Sequence, residues 1–192
     1  KILDAIDEAL KGHHTLTLAD TDLLPEVETK RLVTTGGHFA YLKIAEGCDK
    51  HCTYCIIPYA RGQIRSRTPE SVLKQAQSLV DHGFVEIVLT GIHTAGYGQD
   101  FENYSFYDLL VDLTTKIKGL KRLRISSIEM SQITQEIIDL IAMSPIIVDH
   151  LHIPIQSGCD ATLKRMNRHY TTAEFSDKLR DLKEKLPSLS VT

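Results

Sequence analysis

The chain lacks any apolar run approaching the roughly 18 residues that a membrane-spanning helix needs. It also lacks a strong charge of either sign, with 22 basic against 25 acidic residues and a net charge of −3. That balance excludes holding nucleic acid by bulk charge alone, while leaving room for a local basic patch. Cysteines are few, four in 192 residues. The opening residues, Lys1 to Leu10, alternate charged and aliphatic side chains and so have no secretory-signal core. A reducing, cytoplasmic setting is the expectation. There is no low-complexity tract, and no G-K-[ST] follows Gly96 and Gly98, so these glycines build no phosphate loop.

What is present is ordinary globular material, 42% hydrophobic and 24% charged. A chain of this length buries roughly 70% of the surface its unfolded form exposes, so a core forms without disulfides. Leucine and isoleucine are frequent enough to exclude disorder for most of the chain. Apolar spacing at Ile2, Leu3, Ile6, Ala9 and Leu10 predicts a first helix, stopped by Gly12. From Gly12 to Gly37 no period is discernible, which predicts a linker or strap. Residues 1–37 therefore read as a helix plus interdomain linker, and residues 38–192 as the core domain.

Within that domain a strand–helix rhythm sets in. Strands are predicted at Ala40–Ala45, at Phe84–Thr90, at Leu120–Ile128 and within Ile146–Ile155, and Val191-Thr192 opens a fifth. Thr68 and Pro69 start a helix whose apolar face is Val72, Leu73, Ala76, Leu79 and Val80, with Gly83 as its stop. Further helices carry Phe106, Leu109, Leu110, Leu113 and Ile117, then Ile137, Ile138 and Ile141, then Leu163 and Met166. A last one carries Phe175, Leu179, Leu182 and Leu186. Alternating strands and helices imply parallel strands with right-handed crossovers, in a doubly wound sheet or part of a (β/α) barrel. Either architecture places ligands at the carboxyl ends of the strands.

The first strand runs directly into Glu46-Gly47-Cys48-Asp49-Lys50-His51-Cys52-Thr53-Tyr54-Cys55, a C-x3-C-x2-C loop. Three thiolates on one short loop can hold three corners of a cubane iron–sulfur cluster, and no fourth cysteine lies nearby. One iron would then be left for a substrate or cofactor. A structural zinc site is the competing reading, with His51 completing a Cys3His set or His13, His14 or His150 supplying the fourth ligand. Against it, His51 and Cys52 are adjacent, and neighbours rarely aim at one metal. Cys159 reads as a small residue at a helix start. His150 and His152 flank one strand residue and read as core or pocket-lining side chains.

The cysteine spacing, with Tyr54 before the last cysteine, resembles that of the radical S-adenosylmethionine superfamily. Glu46-Gly-Cys, Cys55-Ile-Ile-Pro, Ala60-Arg-Gly-Gln-Ile-Arg-Ser-Arg67 and Leu89-Thr-Gly-Ile-His resemble the methylthiotransferases within it. So do Arg124-Ile-Ser-Ser-Ile-Glu129, His152-Ile-Pro-Ile-Gln-Ser-Gly158 and Lys164-Arg-Met-Asn-Arg-His-Tyr-Thr171. The resemblance runs from about Tyr41 to the end. It implies an α/β fold, a partial (β/α) barrel of parallel strands truncated after the fourth βα unit. It also implies a [4Fe-4S] cluster, S-adenosylmethionine as cofactor, and an electron passed from the cluster to cleave it and form a 5′-deoxyadenosyl radical. Thr90 to Gly98 and Ile125 to Gln132 are most similar to the branch that adds a methylthio group to C2 of N6-threonylcarbamoyladenosine at position 37 of tRNA. Isopentenyladenosine in tRNA and an aspartate of a ribosomal protein are the substrates of the alternative branches. A zinc-stabilised nucleic-acid-binding module is the alternative of a different class.

Carried over by motif, Cys48, Cys52 and Cys55 would ligate the cluster and Tyr54 would lie beside the cofactor's adenine. Thr90 and Gly91 would face its methionine amino group, although Ile92 and His93 replace the usual glycine and glutamate there. Ser127, Glu129, Gln156, Arg165 and Arg168 complete the expected cofactor contacts, an arginine matching a carboxylate bidentately. Arg61, Arg65 and Arg67, near Tyr59, form a candidate patch for tRNA phosphates. The resemblance also implies a second cluster in a domain lying outside this sequence. The expectation is a fragment that starts in a linker and ends as a fifth strand begins.

Overall fold

The computed structural model describes residues 2–16, 33–34 and 36–192. Residues 17–32 and 35 of the expected linker lie outside the described residues. Helix α1 (Ile2–Leu10) forms where the apolar spacing predicts it and buries none of its side chains. The core domain follows as β1 (Phe39–Glu46), α2 (Ile57–Arg61), β2 (Arg65–Ser66), α3 (Pro69–Asp81), β3 (Glu86–Gly91), α4 (Phe106–Lys116), β4 (Arg122–Ile125), α5 (Gln135–Met143), β5 (His150–Leu151), α6 (Asp160–Arg165), α7 (Thr172–Lys185) and β6 (Ser190–Val191). Among the described residues, no helix is long and apolar enough to cross a membrane.

The main sheet has the order β2-β1-β3-β4, with β1, β3 and β4 parallel. Single bridges at Leu123–Ile147 and Ser127–His152 carry the pairing on to β5, which pairs in parallel with β6. The result is the expected partial barrel. Four short elements escape the sequence reading, two of them the 3-10 turns Thr94–Gly96 and Met130–Gln132. The two-residue β2 pairs antiparallel with the end of β1, too short to show any alternation. The five-residue α2 starts with Pro58 in its first turn. The segment Ile146–Ile155 contributes only His150 and Leu151 to a continuous ladder, and Pro154, which cannot donate to a ladder, follows closely.

Register explains how the sheet is packed. Ala40, Ile87 and Leu123 lie abreast, and so do Leu42, Leu89 and Ile125. All six are at most 1% exposed. This face is covered by helices, with Val72, Ala76 and Leu79 of α3 and Leu109, Leu110 and Leu113 of α4 in the same core. The other face is different in kind. Phe39, Glu86 and Arg122 form one row across it, and Tyr41, Val88 and Arg124 the next. Helix ends are set by local chemistry: Thr68 Oγ1 accepts from the Ser71 amide at 3.3 Å. Ser105 with Asp108 and Thr171 with Glu174 form capping boxes at the starts of α4 and α7.

On the polar face, Glu86 takes hydrogen bonds from Arg122 Nε and Arg124 Nε, both at 2.9 Å. Burial alone would raise this carboxyl, but the bonds from Arg124 and Arg122 outweigh it and hold it below its ordinary value of 4.5. A carboxylate depressed on folding stabilises the native state above its unfolded pKa and loses that effect as acid protonates it. Wild type is expected to exceed Glu86→Gln in stability by about 1–2 kcal/mol at pH 7. The difference should shrink as pH falls below 4.5, read by urea unfolding across pH 3–7. A difference independent of pH would contradict this role.

Candidate metal and cofactor site

The cysteine loop leaves the carboxyl end of β1 through Gly47, whose φ is 75°. A Cβ there would sit 1.8 Å from the Gln63 carbonyl oxygen, so only glycine lets the loop start this way. The Cys48 amide then bonds the Gly62 carbonyl at 3.1 Å, and the Cys55 amide bonds that of Cys52 at 3.0 Å.

The far side of the loop is fastened to residues more than a hundred positions away. The Thr53 amide reaches the Met166 carbonyl at 3.3 Å, and Thr53 Oγ1 the Arg165 carbonyl at 2.8 Å. Asn167 Nδ2 donates to the His51 carbonyl at 3.1 Å, and Arg168 Nη2 to the Tyr54 hydroxyl at 2.9 Å. Arg168 also forms an ion pair with Glu129, which follows β4, and Lys50 lies 3.6 Å from the same carboxylate. Lys50, Cys52, Glu129, Asn167, Arg168 and Tyr170 line a small cleft here.

All three loop cysteines are free and half-buried. Burial pushes the Cys48 thiol up, the Lys50 amide opposes that, and Asp49 and the two other cysteines push it further up. The thiols thus lie near enough to feel one another. A single zinc ion, with Zn–S of about 2.3 Å, would bring its sulfurs to within about 4 Å. Among the described residues, the one set of three such ligand atoms within 4.8 Å of one another is Cys48, Asp49 and His93. The three thiols therefore do not all lie within 4.8 Å of one another, as three ligands already gathered round a single ion would. His51 is exposed and meets the Tyr59 ring edge-on. Cys159 is exposed at the start of α6. His150 and His152 both contact Thr192 Oγ1 at 3.2 Å.

The expected cofactor residues divide into two groups. Tyr54, Glu129 and Arg168 are joined by direct contacts. Thr90 and Gly91 end β3. Ser127 is exposed and bridges to His152, and Gln156 is exposed with φ of 67°. Arg165 is exposed, and its guanidinium donates to Thr162 Oγ1 of its own helix at 3.1 Å. The sequence reading missed Asp49, Gln132 and His93. His93 follows β3, is 7% exposed, and sits 3.3 Å from Asp49 through Nδ1. The departure from the usual glycine and glutamate at positions 92 and 93 was its one signal.

The three arginines expected to meet tRNA are engaged within the chain. Arg61 grips both carboxylate oxygens of Glu46, at 2.8 and 2.7 Å. Arg65 donates to the Arg61 and Gln63 carbonyls at 2.9 and 3.0 Å. Arg67 donates to the Lys43 carbonyl at 2.9 Å, and to Gln75 Oε1 and Ser71 Oγ at 2.6 Å each. The bonds orient the three side chains without removing their charge: the Arg61 side chain is 52% exposed, and Arg67 is held by α3 as well as by β1. Arg67→Ala should cost about 1–3 kcal/mol of stability by leaving these acceptors unpaired. Arg61→Ala, removing a half-exposed surface pair, should cost under about 1 kcal/mol. Urea denaturation of both variants checks this, and equal small losses would contradict it.

Residues 42–192 match the Radical SAM superfamily. A threonylcarbamoyladenosine tRNA methylthiotransferase, MtaB of Bacillus subtilis (strain 168), is 61% identical over 80% of this chain and 34% of its own length. A tRNA-2-methylthio-N(6)-dimethylallyladenosine synthase of Hydrogenobaculum sp. (strain Y04AAS1) is 42% identical over 82% of this chain and 36% of its own. The ribosomal protein uS12 methylthiotransferase RimO of Lachnoclostridium phytofermentans is 38% identical over 99% and 43%. The chain thus spans 34–43% of these relatives' lengths. Among solved structures, the radical S-adenosylmethionine methyltransferase TsrM of Kitasatospora setae superposes with a TM-score of 0.61 at 18% identity, over 81% of this chain and 30% of that one. The open parallel sheet with a three-cysteine loop at its carboxyl edge is a radical enzyme core, and the chain belongs to the radical SAM superfamily.

Proposed function

We propose that this chain is the radical core of a tRNA methylthiotransferase acting on N6-threonylcarbamoyladenosine at position 37. The observation that carries this reading is the C-x3-C-x2-C loop of Cys48, Cys52 and Cys55, fastened to the residues after β4 and α6. The 61% identity to the Bacillus relative supports the substrate branch. The relatives that act on dimethylallyladenosine and on protein uS12 are less similar, at 42% and 38%.

In this reading the three cysteines hold a [4Fe-4S] cluster, which when bound supplies the electron that cleaves S-adenosylmethionine. The chain's own residues bind, orient and exclude water. Tyr54 presents an aromatic ring at the mouth of the loop, while its hydroxyl is fixed by Arg168. Glu129, held between Arg168 and Lys50, sets an acceptor beside the cleft. Thr90 and Gly91 end β3, with Gly91 paired to Ala45 near the end of β1, just before the loop. Ser127 and Gln156 offer exposed polar groups for the cofactor, and Arg165 an exposed guanidinium for its carboxylate. A second cluster, held by a partner domain, belongs to the complete enzyme in this reading. The bound substrate is tRNA in the cytoplasm.

Two measurements test it. Residues 38–192 should replace the matching segment of the Bacillus relative in cells lacking that relative. Nucleoside mass spectrometry should then find methylthio-threonylcarbamoyladenosine in tRNA. Methylthiolation of dimethylallyladenosine instead, or none from a stably produced chimera, would refute the branch. Separately, anaerobic reconstitution of Cys48→Ala, Cys52→Ala or Cys55→Ala chains should lose most of the about four irons expected per cluster. Full iron in any of the three would remove that cysteine from the ligand set.

A further inference from the structure

The imidazole of His93 is more completely buried than any other titratable side chain near the loop, at 7% exposure. Its Nδ1 has no hydrogen-bond partner. That nitrogen faces Asp49 Oδ1 at 3.3 Å without hydrogen-bond geometry, and one ligand atom each of Cys48, Asp49 and His93 lie within 4.8 Å of one another. A tetrahedral zinc ion, with bonds of about 2.0–2.2 Å to nitrogen and oxygen, sets such atoms about 3.3 Å apart. One thiolate, one imidazole and one carboxylate suit zinc better than magnesium or calcium, which prefer oxygen alone.

The ring is also held from behind, as metal-binding histidines usually are. Its Nε2 lies 2.5 Å from the Gln132 side-chain nitrogen, while the Gln132 amide oxygen has no partner. Turning that amide over lets its oxygen accept from Nε2–H, which leaves the Nδ1 lone pair for the metal. Gly96 presses on the other side, since a Cβ there would lie 2.6 Å from Nδ1. The residue at position 96 must be small for the imidazole to stand where it does.

We propose that Cys48, Asp49 and His93 form a mononuclear zinc site, distinct from the three-cysteine set and sharing only Cys48 with it. An ion held there occupies one of the three thiols, so zinc and the cluster exclude each other on this loop.

The test uses the 192-residue chain, stripped of metal under anaerobic conditions and titrated with zinc. One zinc per chain is expected. Asp49→Ala, at an exposed position that does not threaten folding, should weaken binding at least tenfold. So should His93→Ala, with circular dichroism confirming its fold. The Cys52→Ala, Cys55→Ala double variant should bind within threefold of wild type. Cobalt in place of zinc should show thiolate charge transfer of the intensity of one sulfur, unchanged in that double variant. No binding by the wild type would overturn the proposal. So would binding lost in the double variant and kept in Asp49→Ala, which would move the ion to the three cysteines. Finally, zinc-loaded wild type should take up less iron and sulfide on reconstitution than metal-free wild type. Equal uptake would refute the exclusion.

Discussion

The guanidinium of Arg168, with its side chain 8% exposed, lies between the Glu129 carboxylate and the Tyr54 hydroxyl. Removing one partner of a buried ion pair typically costs about 3–5 kcal/mol, because the other charge is left without compensation. The contact therefore does more than tie two side chains together. It fastens the cysteine loop after β1 to the residues after β4 and α6, with Thr53 and Asn167 adding bonds on either side. The loop's own internal bonds are few, so its shape is set largely by these distant anchors. Burial opposes the charge on Arg168, and Glu129 and Tyr54 more than restore it.

The sheet supplies the platform. Its apolar face is spent on the helices, and the other face carries Glu86, Arg122, Arg124, Lys43 and Thr90. Parallel strands are usually covered on both faces and read as continuous apolar runs. Here β1 alternates instead, with Ala40, Leu42 and Ile44 buried and Tyr41 and Lys43 exposed. That alternation marks a sheet with one face left for something other than helices. Lys43 and Arg61 both bind Glu46 at the edge of this face, so the first strand delivers the chain into the loop with its charges already paired.

Much of this was legible in the sequence. Thr68-Pro69 and Gly83 bracket α3 as their chemistry demands, and the βα rhythm gave the parallel order. The cysteine spacing singled out the loop. Elements without periodicity were not legible: β2 has two residues and α2 five. Nor were the bonds of Arg61 to Glu46, of Arg65 to two carbonyls and of Arg67 to α3, because composition does not show an arginine's partners. His93 escaped for a related reason. Its partners Asp49 and Gln132 lie about forty residues away on either side, and only the fold brings them together. Tyr54, Glu129 and Arg168 were each named from motifs, yet their mutual contact is a property of the tertiary structure.

In the proposed reading Cys48, Cys52 and Cys55 would hold the cluster, and Tyr54 and Arg168, joined at 2.9 Å, would line the cofactor's side of the loop. The most direct measurement is the iron and sulfide content of the anaerobically reconstituted chain, followed by its electron paramagnetic resonance spectrum with and without S-adenosylmethionine. About four irons and four sulfides per chain are expected, with a spectrum that changes when the cofactor is added. A chain that binds no iron, or a cluster whose spectrum ignores the cofactor, would contradict that reading.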